Sequence, residues 1–213
     1  MRRRVTLLML TGAVVASAVI IDRIAIIAGN SIIKDSDIQR DVRITDFLNG
    51  SPLDLSQAAK KAAADRLLDQ VFIRREIRIG DYPTSSQQDA DKQLDQMIKE
   101  RFHTQAAFED ALRRYGLTEA ELRDRYQWQL TVLLFIDARF RPAAYISDEE
   151  LESYYNAHAQ QLATQFPGKS SLNDLRDEIR NLLSGQKVNQ IFFAWLDEQR
   201  KNTSVRYLEG GLT

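Results

Sequence analysis

Residues 20–39 read IIDRIAIIAGNSIIKDSDIQ, and this stretch sets the frame for the rest of the chain. Ile24, Ala25, Ile26, Ile27 and Ala28 form an apolar run, Gly29-Asn30 interrupts it, and Ile32-Ile33 resume it. Gly and Asn tolerate the positive φ of a primed turn, so two β-branched runs around them predict a tight hairpin. Lys34-Asp35-Ser36-Asp37 ends the second strand and offers caps for a helix. A two-stranded hairpin is marginal by itself in water. It needs a cover and a third strand, and the only other strand-like segment is SVRYL, residues 204–208, at the far end. The expectation is that the two ends of the chain meet in one small sheet.

Between those ends the sequence reads as helix. Ile38, Val42 and Phe47 keep near-helical spacing up to a stop at Asn49-Gly50-Ser51-Pro52. Ser56 opens a longer helix to about Ile79, with a wide apolar stripe through Ala59, Ala63, Leu67, Val71 and Ile73 and with Lys60, Lys61, Arg66 and Arg74 facing out. A mostly polar helix covers residues 87–102, and Thr104 caps a short one that ends at Gly116. Thr118 and Glu121 form a capping box at the head of a helix to about Arg139, which carries two apolar faces: Leu122, Tyr126, Leu130 and Leu133, then Trp128, Val132, Phe135 and Ile136. Ser147 and Glu150 make a second box. From Leu172 one helical pattern runs to about Asn202 with Ser184-Gly185 inside it, where a single glycine costs about 1 kcal/mol and marks a place for a bend.

The first eighteen residues look like an export signal: Arg2-Arg3-Arg4, an apolar run over Val5–Val15, then the small-x-small site Ala16-Ser17-Ala18. Cleavage after Ala18 removes three of 29 basic residues, leaving 26 against 30 acidic, a net charge of −4. The alternative is an uncleaved inner-membrane anchor, since Val5–Ile21 carries no charge and lies near the lower length limit for a span. Either way the body, residues 19–213, is expected outside the cytoplasm as a single domain. A hydrophobic content of 44% lets it bury a core without disulfides, which the absence of cysteine excludes.

The same composition narrows the chemistry. No cysteine means no thiol catalysis and no cysteine-ligated metal, and two histidines, His103 and His158, cannot build a His-rich site. Neither a phosphate-binding glycine loop nor a GxSxG or HExxH pattern occurs. His103 reads as a capping-region residue and His158 as a helix-surface one. The clusters Asp89-Asp91-Asp95 and Asp148-Glu149-Glu150 read as solvated or dipole-stabilised helix faces. The near-neutral formal charge of −1 argues against nucleic acid. What remains is a surplus of large apolar side chains, Met97, Phe102, Tyr126, Trp128, Phe135, Phe140, Tyr154 and Tyr155. A helical cradle that exposes part of this set would bind polypeptide by shape-tolerant apolar contact.

The order of elements resembles a known family. IIDRIAIIAGNSIIKDSDIQRDV, then DRLLDQVFIRREIRIG, QLDQMIKERF, FEDALRRYGLTEAELRDRYQWQLTVLLFIDARF and ISDEELESYY look like the N-terminal chaperone domain of the SurA family of periplasmic chaperones. FFAWLDEQRKNTSVRYL resembles that family's closing helix and strand, at about residues 172–208. The resemblance covers roughly Val19–Leu208 and rests on order, with no single diagnostic residue. It implies a mostly helical fold with a small sheet made by the N-terminal hairpin and the C-terminal strand. It also implies an ATP-independent periplasmic chaperone for unfolded or extended polypeptides such as outer-membrane protein precursors, working without a cofactor. In that family parvulin-type prolyl isomerase modules accompany this domain. Here only the residues between Glu150 and Ser171 are available for one, and a domain needs about 50. The expectation is therefore a binding protein and not an enzyme. Its client contacts are expected at Met97, Phe102, Tyr126, Trp128 and Phe135. The rival readings are a fixed-partner scaffold or homo-oligomer of the envelope, and a prolyl isomerase.

Overall fold

The computed structural model describes residues 22–169 and 171–208. Strand β1, Ile24–Ala28, and strand β2, Ser31–Lys34, are joined by the Gly29-Asn30 turn, with Gly29 at φ 56° in the left-handed region. They pair antiparallel, Ile26 opposite Ile33, Ile27 opposite Ile32 and Ala28 opposite Ser31. Strand β3, Val205–Tyr207, lies on the other side of β1, also antiparallel, so the sheet order is β2-β1-β3. Two backbone hydrogen bonds fix that closure: the Gly29 N–H donates to the Ser204 carbonyl at 3.0 Å, and the Leu208 N–H to the Ala25 carbonyl at 2.9 Å. The N-terminal hairpin and the C-terminal strand therefore meet as expected. The proposed export signal lies outside the described residues.

Seven α-helices fill the described chain between the strands: α1 (Asp35–Asn49), α2 (Gln57–Gly80), α3 (Gln87–Arg101), α4 (Gln105–Tyr115), α5 (Glu119–Phe140), α6 (Asp148–Gln165) and α7 (Leu172–Asn202). Their starts follow the side-chain logic of N-caps. Ser56, Ser86, Thr104, Thr118, Ser147 and Ser171 each accept a hydrogen bond from a backbone N–H in the first turn. At α1 the reciprocal half of a capping box is made by Asp37, whose carboxylate accepts from the Lys34 N–H. Gly50 and Gly116, both at positive φ, end α1 and α4. Helix α7 passes through Ser184-Gly185 without interruption. The residues between Glu150 and Ser171 largely continue α6, and none of the described helices is long and apolar enough to cross a membrane.

Three apolar cores form along this frame. The first joins the sheet, through Ile26, Ala28 and Ile33, to α2, the C-terminal half of α5 and the C-terminal half of α7. An aromatic group closes it: Phe135 lies 5.1 Å from Tyr82, 5.6 Å from Phe140 and 5.7 Å from Trp195 between ring centroids. The second core joins Ile44 and Phe47 of α1 to α3, α4 and Leu122 of α5. The third, Ile146, Leu151, Leu162, Leu175 and Ile179, holds α6 against the N-terminal half of α7. Helix α5 thus serves two cores with its two ends, and α7 likewise. The Asp69 carboxylate accepts two hydrogen bonds from Arg200 at 2.8 Å, tying α2 to the end of α7 just before β3.

This arrangement corrects the expected apolar surplus. Phe135 is fully buried, and Met97 and Phe140 are buried as well. Phe102 and Tyr126 are half-buried against the second core, Trp128 against the first, and Tyr154 and Tyr155 against the third. Much of both apolar faces of α5 is covered, one end by the second core and the other by the first, while Leu133 stays outside them. The exposed large side chains are others, among them Leu133 (63%), Phe193 (60%), Ile79 (72%) and Ile32 (51%).

Candidate functional site, a cleft between the hairpin and three helices

The first and second cores leave a cleft of about 1090 Å³ between them. One wall is strand β2 with the hairpin tip, and α1 forms the wall beside it. The N-terminal half of α5 contributes Glu121, Asp124, Arg125 and Trp128. The remaining wall is the α2 face bearing Leu67, Val71, Arg74 and Arg78, residues spaced three or four apart and so on one side of the helix.

The walls are held by a buried carboxylate. Asp41 on α1 is only 3% exposed. Its Oδ2 accepts from Arg66 of α2, at 2.9 Å from Nε and 2.6 Å from Nη2, and its Oδ1 accepts from Arg125 of α5. Arg66 also donates to the Thr45 hydroxyl. One acid thereby pins three helices, and a buried carboxylate requires that degree of pairing. At the rim, Arg40 bridges Asp37 at 3.3 Å and Glu121 at 2.9 Å. The Glu121 carboxyl sits below the ordinary glutamate range. Burial pushes it up, but hydrogen bonds from Thr118 and the Arg40 charge outweigh burial.

Arg74 differs from these framework arginines. Its guanidinium lies 3.8 Å above the Trp128 ring, a cation–π distance, and it pairs with no carboxylate among the described residues. The side chain reaches solvent, yet the guanidinium is partly desolvated against the indole. That burial, with the neighbouring Arg125 charge, lowers its affinity for the proton below the ordinary arginine range. Arg75 donates to the Gln199 side chain at 2.6 Å, a neutral partner.

Of the five expected client contacts, only Trp128 lines this cleft. Met97, Phe102 and Tyr126 gather around the second core, where Phe102 stacks on Phe47 at 5.7 Å. Phe135 belongs to the interior of the first. The five do not form one surface. Reading the sequence missed Arg74, Arg78 and Ile32. The available signal was the i, i+4 spacing of Arg74 and Arg78 beside Leu67 and Val71, which resembles an ordinary solvated face.

The histidines have local roles. His103, at φ 61°, ends α3: its N–H donates to the Ile98 carbonyl at 3.0 Å, and its Nδ1 is 3.0 Å from the Lys99 carbonyl. His158 stacks on Tyr154 at 4.1 Å. Among the described residues no three or more His, Asp or Glu side chains are grouped to hold a metal ion. Asp89 accepts from Ser86 and Lys92, Asp91 pairs with Arg123, and Asp148 pairs with Arg176.

No family model matches the chain, and no curated protein matches it in sequence. Among solved structures it is similar to one from the human pathogen Campylobacter jejuni, from work describing the virulence factor PEB4 and the periplasmic protein Cj1289 as two structurally related SurA-like chaperones. The match covers 89% of this chain and 100% of that one, with a TM-score of 0.55 and 11% identity. At that identity the likeness speaks to architecture alone: this chain has the helical fold of a SurA-like chaperone.

Proposed function

We propose that the chain is a periplasmic chaperone that holds unfolded polypeptide, outer-membrane protein precursors among its clients, without ATP. The observation that carries this reading is the cleft, seated in a SurA-like fold. Its lining mixes apolar side chains (Ile32, Leu67, Val71 and Trp128) with arginines along its length. Such a surface suits a segment of chain, because it sets apolar contact beside polar and charged groups in one cleft. An unfolded client loses chain entropy on ordering, so each contact contributes modestly and release needs no energy source. The protein acts by binding and not by turning over a substrate. Its client contacts shift from the five expected side chains to the cleft walls, with Trp128 the member common to both. Light scattering of an outer-membrane protein diluted from urea tests the reading. Residues 19–213 at equimolar or modest excess suppress the aggregation. Scattering unchanged from buffer refutes it.

A further inference from the structure

We infer that the cleft takes its client as an added strand on β2, with a carboxylate side chain of that strand seated on Arg74. The inference rests on the chaperone reading and names the chemistry of the segment bound. The first observation is backbone geometry. The bonds from Gly29 to Ser204 and from Leu208 to Ala25 bracket the Ile27–Arg206 pair, so the polar groups of Ile27 face β3. Those of Ile26 and Ala28 then face β2, as the alternation of an antiparallel ladder requires. Ile32, opposite Ile27, therefore directs its own N–H and C=O away from β1. Strand β2 is an outer strand of the sheet, and Ser31, Ile32 and Ile33 all line the cleft. An outer strand with an apolar side chain half in water is a template for pairing with extended chain. At the far end the same edge is closed, since the Lys34 N–H is taken by Asp37.

The second observation is charge. Arg40 is engaged by Asp37 and Glu121, and Arg125 by Asp41. Arg75 donates to neutral Gln199. On the α2 wall this leaves Arg74, Arg75 and Arg78 without a carboxylate among the described residues, opposed by the one unpaired acid of the lining, Asp124 on α5. The balance favours an acidic occupant and repels a basic one. Arg74 is the better seat, because its guanidinium is already placed over the Trp128 ring and no carboxylate among the described residues engages it. A guanidinium can meet a carboxylate with two parallel hydrogen bonds. The segment selected is extended, β-branched or apolar against Ile32 and Val71, and carries one Glu or Asp.

The test uses a soluble peptide of alternating valine and threonine with one central glutamate, and its counterparts with glutamine or lysine there. Tryptophan emission reads the site, since Trp128 is one of only two tryptophans and the other, Trp195, is buried. The glutamate peptide shifts the emission and slows hydrogen exchange at the Ile32 amide. The glutamine peptide binds about tenfold more weakly, and the lysine peptide weaker still. Arg74→Gln brings the glutamate peptide down to the affinity of the glutamine one. Ile32→Pro, which removes an outward donor and no ladder bond, weakens all three peptides alike. Thermal melts that match the parent show that both variants fold. Equal binding of glutamate and glutamine peptides, or an Ile32 amide that exchanges freely in the complex, overturns the inference. If aggregation of the unfolded client is still suppressed in that case, the chaperone reading survives alone. If the glutamate peptide binds and protects Ile32 while aggregation proceeds unchecked, the site stands and the chaperone reading falls.

Discussion

Replacing Phe135 with alanine separates two accounts of the same side chain. Read from sequence, Phe135 is a client contact on an apolar face of α5. The structure places it at 0% exposure, with Tyr82, Phe140 and Trp195 around it at ring-centroid distances of 5.1, 5.6 and 5.7 Å. Deleting a buried phenylalanine removes its transfer free energy and leaves a cavity, together about 3–5 kcal/mol. Loss of the aromatic geometry is included in that figure and accounts for about 0.5–1.5 kcal/mol per ring pair at most. For a chain of this length each kcal/mol lowers Tm by about 2–4 °C, so a loss of about 6–20 °C follows. Phe193→Ala serves as the control. That ring is 60% exposed, and its removal changes stability by no more than about 0.5 kcal/mol. Urea unfolding followed by far-UV circular dichroism measures both. A Phe135→Ala variant that unfolds within about 1 kcal/mol of the parent while losing client binding refutes the interior assignment and restores the contact role.

Three further outcomes follow from local geometry. A β-carbon added at Gly185 meets nothing within 4 Å, and the residue is helical, so Gly185→Ala stabilises the chain by about 0.5–1 kcal/mol, read as a rise in Tm. Hydrogen bonding from the Ser147 N–H, and then from Lys187, holds the Glu150 carboxyl below its ordinary 4.5. Folding therefore favours the ionised form: that contribution is present above pH 4.5 and is lost as pH falls through the lower folded value. Glu150→Gln consequently flattens the acid side of a Tm-against-pH profile, and an unchanged profile rules out the assignment. In the closing strand, Arg206→Pro removes a donor aimed at Ile27 and exposes the Gly29 amide to hydrogen exchange, whereas Val205→Pro removes an N–H that faces away from β1 and leaves that amide protected.

Local rules made the frame legible. Gly29-Asn30 between β-branched runs, the Ser/Thr caps with an acid three residues on, and glycine stops at 50 and 116 each act within a few residues, so the sequence carries them whole. The meeting of β1 and β3 was legible for another reason: a lone hairpin needs a partner, and the chain holds one other candidate strand. Exposure was not legible. On α5, Leu122 and Leu133 fall on one helical stripe, yet the first is fully buried in the second core and the second is 63% exposed beyond that core's reach. Periodicity gives the direction of a side chain and not the extent of what covers it. Arg66 and Arg74 show the same limit. Both read as outward cations on α2, but one closes on buried Asp41 from a neighbouring helix and the other lies over Trp128.

The charge left over in the cleft follows from how its walls are spaced. A buried ion pair seldom adds net stability over apolar packing of the same volume, and the best-attested reason to keep one is to fix which elements sit together. Asp41 meets α2 through Arg66 and α5 through Arg125, so the gap between those two helices is set by a carboxylate whose two oxygens are both engaged. With Asp41 saturated and with Asp37 and Glu121 taken by Arg40, no acid of the α1 wall remains for Arg74, which stays over the indole facing the channel. The structural ion pairs that hold the walls apart thus also leave Arg74 without a counter-charge among the described residues, in the same cleft as the outer strand β2.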